Sequence, residues 1–185
     1  MGFAVELYFD PSMERRIRRL WQELADQGIR SILPAIGSRP HISLALLDRV
    51  DPTTAPAVLA SLASDQMPLP VEFSSAGTFP GTEGVVFLAP AITPELLAIH
   101  RRVYSHLTAL GLRVHEYYRP GRWVPHCTVA MELEPHQVPQ ALAVCRGEHL
   151  FVPATLVEIG LVEYRPVREI CSFPLSLAAG PDRAI

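Results

Sequence analysis

The sequence predicts an α+β fold built as a pseudo-two-fold duplication: two lobes, each a mainly antiparallel sheet with helices on its outside, and an active-site cleft between them. Three observations carry that expectation. The segment Pro40-His41-Ile42-Ser43-Leu44-Ala45 recurs 85 residues later as Pro125-His126-Cys127-Thr128-Val129-Ala130. Two long amphipathic helices open alike, at Asp10-Pro11 and Thr93-Pro94, 83 residues apart. Short connections between the strand-like segments favour antiparallel pairing. A repeat of this length in a chain of 185 residues is read as one domain, 1–185, of two half-repeats, roughly 1–90 and 91–185.

Each element has a local reason. Phe3 to Asp10 alternates as a strand, and Asp10-Pro11 then supplies a cap and a first-turn proline. Met13, Ile17, Leu20, Trp21 and Leu24 share one face of the helix that follows, which Gly28 ends. A loop from Ser31 to Pro40 leads to the short apolar strand His41–Leu47, and Asp51 to Ser64 reads as helix. Strands follow at about Leu69–Phe79 and Gly84–Leu88, with Pro80-Gly81 turning between them. The order then begins again. A helix from Thr93 carries Leu96, Ile99, Val103, Leu107 and Leu110 on one face and stops at Gly111. A polar, aromatic loop (Leu112–Pro125) precedes the strand His126–Met131; a helix over Pro135–Cys145 and strands near Phe151–Tyr164 and Val167–Leu175 complete the chain. Val71-Glu72-Phe73 is answered by Val157-Glu158-Ile159, and Phe79 by Tyr164, at offsets of 86 and 85.

Composition excludes several classes. Hydrophobic residues are 49% and charged residues 19% of the chain, which is not the balance of a disordered, collagenous or coiled-coil sequence. The 16 basic residues are all arginine, against 19 acids, for a net charge of −3, so a broad basic nucleic-acid footprint is absent. The longest apolar run, Val85 to Ile92, is far short of the roughly 18 to 20 residues that span a bilayer. With no signal-like N-terminus and three cysteines (Cys127, Cys145, Cys171) in no CxxC pattern, the expectation is a cytoplasmic monomer with reduced, buried thiols.

The chemistry-bearing candidates are histidines. Seven His and 19 Ser plus Thr in 185 residues give about 0.7 His-x-Ser/Thr tripeptides by chance, and the chain has three. His106-Leu107-Thr108 lies in a helix, where residues i and i+2 point about 200° apart and cannot share a ligand. In the other two the strand alternation puts His41 with Ser43, and His126 with Thr128, on one face. Meeting across the pseudo-two-fold, two imidazoles suit in-line phosphodiester cleavage. One takes a proton from the attacking hydroxyl or water, and the other protonates the departing oxygen. The hydroxyls of Ser43 and Thr128 are placed to donate to non-bridging phosphoryl oxygens. The bland alternative is two satisfied polar residues at strand ends. A metal site is disfavoured, since HxH, HExxH and CxxC are absent and Cys127 points away from His126.

This doubled Pro-His-x-Ser/Thr-apolar-Ala motif, in a chain of this length, resembles the 2H phosphoesterase superfamily, specifically its 2′-5′ RNA ligase-like branch, over essentially the whole sequence. The resemblance implies a cyclic phosphodiesterase that needs no metal or cofactor and opens 2′,3′-cyclic phosphates of nucleotides or RNA termini, commonly to 2′-phosphates. It makes His41 and His126 the acid and base and Ser43 and Thr128 the phosphate ligands. Sequence does not order the pair; the assignment adopted is His126 as base and His41 as acid. Ser43 departs from the commoner Thr, keeping the donor but not the methyl group.

Secondary candidates are Tyr118, Arg122 and Trp123, in the loop leading to the second motif, and Arg39, just before the first. Their rings and guanidinium groups can stack on a base or pair with phosphate. His100, His136 and His149 read as surface groups. Two other functions remain open: a non-catalytic module binding an AMP-like nucleotide, and 2′-5′ linkage cleavage or ATP-independent ligation, the reverse reaction. A lysyl-adenylate route is excluded because the chain contains no lysine.

Overall fold

From Ala4 to Phe9 every residue of the first strand, β1 (Gly2–Phe9), is buried, so β1 is central and covered on both faces. The computed structural model describes residues 2–176 apart from Arg30, Pro52 and Arg165. At the end of β1 the Asp10 carboxylate accepts from the backbone N–H groups of Ser12 and Met13, capping α1 (Pro11–Asp26) with Pro11 in its first turn. Helix α1 buries Met13, Ile17, Leu20, Trp21 and Leu24, as the spacing predicts, and Gly28 leaves it with a φ of 78°.

The chain continues through β2 (His41–Leu47), α2 (Thr54–Ser64), β3 (Leu69–Thr78), β4 (Val86–Pro90), α3 (Pro94–Ala109), β5 (Cys127–Ala130), α4 (Gln137–Val144), β6 (Pro153–Tyr164) and β7 (Arg168–Pro174). Every strand pairing is antiparallel, in the order β2-β1-β6-β3-β4-β5, with β7 added to β6. The order β-α-β-α-β thus occurs twice, over 2–78 and 86–164. By element order the division falls between β3 and β4, so the strand expected to close the first half opens the second, and β7 lies outside both runs. The third strand of each run pairs with the first strand of the other: β6 lies against β1, and β3 against β4. Pairing of Leu69–Glu72 with Pro153–Leu156 joins the two groups of strands.

One continuous apolar core runs from Val5, Leu7 and Phe9 through Ile17 and Leu24 of α1 and Ile99 and Val103 of α3 to Leu156 and Ile159 of β6. Each such side chain contributes about 1.5–3 kcal/mol when fully buried. Three local expectations shift. Helix α2 starts at Thr54 because Asp51 engages the Thr53 N–H and hydroxyl in a turn ahead of it. Leu110 is 39% exposed at the frayed end of α3, and His126 stands immediately before β5 rather than in it. Among the described residues no helix is long and apolar enough to cross a membrane.

Candidate active site

The two motif strands sit at opposite ends of the sheet order, yet β2 and β5 lie against one another. Loop bonds hold that closure. The His115 N–H donates to the Leu46 carbonyl (2.9 Å), and the indole N–H of Trp123 donates to the Ser43 carbonyl (3.0 Å). The buried Cys127 thiol meets the His41 backbone, and burial pushes it up to about 12, so it stays a protonated thiol.

Strand register then decides what surrounds each motif. On β1, Tyr8 stands opposite His41 and Glu6 opposite Ser43, so these four side chains share one face. On β4, Phe87 stands opposite Thr128 on the equivalent face. Two glycines make room for the aromatic rings there. A Cβ on Gly160, the partner of Glu6, would fall 2.6 Å from the Tyr8 ring, and one on Gly77, the partner of Phe87, 2.9 Å from the Phe87 ring.

Both imidazoles are anchored in the same way. The Nδ1 of His41 lies 2.6 Å from the Arg39 carbonyl, and the Nδ1 of His126 lies 2.7 Å from the Val124 carbonyl, in each case two residues upstream. A carbonyl can only accept, so each Nδ1 carries the hydrogen and each Nε2 is left for other partners. Those partners differ. The Nε2 of His41 lies 3.4 Å from a carboxylate oxygen of Glu6. The His126 ring is met edge-on by Phe79 at 4.9 Å and tilted by Phe87 at 5.5 Å. Burial among these rings holds His126 below its ordinary value; the Val124 carbonyl opposes this, and the nearby charge of His41 adds to the lowering. Two imidazoles that sense one another, with both Nε2 atoms free of the backbone, can take a proton at one nitrogen and give one at the other.

The other predicted residues fall in three places. The Tyr118 hydroxyl bonds to Ser43, and burial raises its phenol to about 12. Trp123 is buried and stacks flat on His100 (4.1 Å, 6°), so it braces the site from behind. Arg122 is exposed, paired with Glu116 and set over the Tyr117 ring, with no contact to either motif. Arg39 lies over the Tyr8 ring at 4.0 Å and is shared by Glu158 (3.1 Å), Glu14 (3.5 Å) and Glu169 (3.6 Å). Its guanidinium is therefore already neutralised.

Glu6, Tyr8, Phe79 and Phe87 were not singled out by the sequence reading, and His100, read as a surface group, is 1% exposed. One signal was available: an acid inside the apolar run Ala4–Phe9 of a strand covered on both faces needs a partner. His100 finds its own in the Tyr118 carbonyl, 2.9 Å from Nε2. Among the described residues, no group of three or more His, Cys, Asp or Glu side chains is placed to hold a metal ion.

Comparison with known proteins agrees with this architecture. The family model of the 2′-5′ RNA ligase superfamily matches residues 9–168. Similar solved structures include TT0787 of Thermus thermophilus (16% identity, TM-score 0.63, covering 96% of this chain and 99% of that one). A structure described as a phosphoesterase is similar at 18% identity and a TM-score of 0.61, covering 94% and 97% of the two chains. E. coli LigT complexed with 3′-AMP is similar at 14% identity and a TM-score of 0.57, also covering 94% and 97%. No curated protein sequence matches.

Proposed function

Since the chain belongs to the 2′-5′ RNA ligase superfamily, we propose that it is a metal-independent phosphodiesterase that opens 2′,3′-cyclic phosphates on nucleotides or RNA termini and leaves 2′-phosphates. The observation that carries this reading is the matched pair of imidazoles. Both are fixed as the Nδ1–H tautomer by an upstream carbonyl, and their surroundings differ, a carboxylate lying beside Nε2 of His41 and phenyl rings against the His126 ring.

In this reading the two β-α-β-α-β runs are the halves of one site-bearing domain. His126, held below its ordinary value and therefore neutral, takes a proton from the attacking water at Nε2. The new water-oxygen–phosphorus bond forms in line as the bond from phosphorus to the 3′ oxygen breaks. His41 then delivers its Nε2 proton to that oxygen. Ser43 and Thr128 donate to the non-bridging oxygens; the bond between Tyr118 and Ser43 leaves the Ser43 hydroxyl proton free to point at phosphate when Tyr118 is the donor. Proton exchange with solvent resets the pair. The LigT structure carrying 3′-AMP supports a nucleotide as the substrate class.

The test is turnover on a panel of 2′,3′-cyclic nucleotides and cyclic-phosphate-ended RNA, resolving 2′- from 3′-phosphate products. His41→Ala and His126→Ala should each lower the rate by about 10² to 10⁴-fold with the fold intact by circular dichroism. Full activity in either variant, or abolition by EDTA in the native protein, overturns the mechanism. Tight AMP binding with no turnover of any substrate would replace it with a binding module.

A further inference from the structure

The two halves of the site are built to a similar plan and differ at the register position beside each hydroxyl. Opposite Ser43 on the neighbouring strand stands Glu6; opposite Thr128 stands Phe87. Each of these has a glycine as its partner on the other side, Gly160 and Gly77. A carboxylate therefore faces Nε2 of one histidine where a phenyl ring faces the other. Burying an acid in this strand is costly unless it is paired.

We propose that Glu6 is a positioning residue that keeps the proton of the His41–Glu6 pair on Nε2 of His41 in the resting protein, and so makes His41, not His126, the acid; this rests on the two-histidine reading above. The 3.4 Å separation is loose enough for a leaving oxygen to displace the carboxylate. The groups facing Glu6 are known from every side. Tyr8 on its own strand bonds to it through the phenol, and His41 faces it from β2. The Arg39 guanidinium lies over Tyr8, Glu169 approaches from β7, and Tyr118 and Cys127 sense its charge. Arg39 is engaged by Glu14, Glu158 and Glu169, so it does not take Glu6 from His41. Burial holds the Glu6 carboxyl above the usual carboxylate range, and His41, Tyr8 and Arg39 work against it without cancelling it. The carboxylate and the imidazole thus compete for one proton, and Tyr8 tips the balance by stabilising the ionised carboxylate.

The experiment compares native protein with Glu6→Gln, which keeps the shape and removes the charge. Nitrogen-15 NMR of both histidines across pH reads the ring protons without any substrate, and a pH–rate profile reads catalysis. In Glu6→Gln the titration midpoint of His41 should fall, while that of His126 moves less and upward as the charge of His41 that presses on it is lost. The alkaline limb of the rate profile should move down by about one pH unit or more, with kcat reduced about tenfold on that limb and KM within about twofold. Tyr8→Phe, which removes only the phenol bond, should move the same midpoint in the same direction by less. It decides the matter if Glu6→Gln does not fold. An unmoved His41 midpoint in both variants overturns the proposal whatever the rate does, as does a shift confined to His126. A His41 midpoint that falls in a protein turning over no cyclic phosphate supports the Glu6 coupling and refutes the catalytic reading instead.

Discussion

Replacing Trp123 with phenylalanine tests how the two motifs are held together. Its indole N–H donates to the buried Ser43 carbonyl at 3.0 Å, and its ring stacks on His100 at 4.1 Å. The next residue, Val124, supplies the carbonyl that fixes Nδ1 of His126. One side chain therefore ties the backbone of the first motif to the segment that orients the second. Trp123→Phe keeps most of the stack and deletes the donor. Leaving the Ser43 carbonyl unpaired costs about 1–3 kcal/mol, and the thinner stack costs part of the roughly 0.5–1.5 kcal/mol that aromatic pairs contribute. At about 2–4 °C per kcal/mol for a chain of this size, Tm should fall by about 2–15 °C. Misplacing the ring of His126 by a fraction of an ångström should also lower kcat by about tenfold. The assay is thermal and urea unfolding of Trp123→Phe, together with a double-mutant cycle of Trp123→Ala against His100→Ala, in which a coupling of about 0.5–1.5 kcal/mol is expected. A variant within about 0.5 kcal/mol of native, with no coupling to His100, would mean that the indole fills space and holds nothing.

Two more outcomes follow from the same geometry. Burial is the main cause holding both His100 and His126 below their ordinary value near 6.5. The unfolded chain therefore binds protons at these rings before the folded one does, so stability is full above about pH 6.5. It should fall as pH drops through that value toward the folded ones, by up to about 1.4 kcal/mol per pH unit for each ring, and urea titrations of His126→Asn should show a shallower acid slope. Gly160→Ala places a methyl group 2.6 Å from the Tyr8 ring, so the ring must shift from its present place under Arg39. A loss of about 1–3 kcal/mol in chemical denaturation is expected, and a neutral result would show that the ring has slack.

Much of the site was legible because strand alternation is a strict rule. His41 with Ser43 needed only a period of two and an apolar strand around them, and the helix at His106-Leu107-Thr108 was separable by its period of 3.6. The helices α1 and α3 announced their ends through Asp10-Pro11, Gly28 and Thr93-Pro94. The exchange of third strands between the two runs was not legible, because nothing local distinguishes β6 pairing with β1 from β6 pairing within its own run. Glu6 and Phe87 were missed for the same reason: their importance lies in what stands across the ladder, and register is a long-range property. His100 looked like a surface residue because its partners, Trp123 and the Tyr118 carbonyl, come from a loop 18 to 23 residues on.

Under the proposed two-histidine mechanism, a site built from two like halves would face a problem that its symmetry creates. In-line displacement needs one imidazole with a proton and one without, and two identical half-sites give both rings the same affinity for it. The backbone does not break the tie, since each Nδ1 is held by the carbonyl two residues upstream at nearly the same distance, 2.6 and 2.7 Å. The strand register does, with a carboxylate beside Nε2 of His41 and phenyl rings against the His126 ring. In general a carboxylate favours a charged imidazole and apolar burial a neutral one, and burial holds His126 below its ordinary value. If that difference sets the roles, removing it from either side should show in the pH profile. Glu6→Leu leaves two neutral-favouring sites, and Phe87→Glu leaves two cation-favouring ones, so each variant should collapse one limb of a bell-shaped pH profile and leave the other standing. A bell preserved on both sides in both variants would place the origin of the asymmetry elsewhere in the fold.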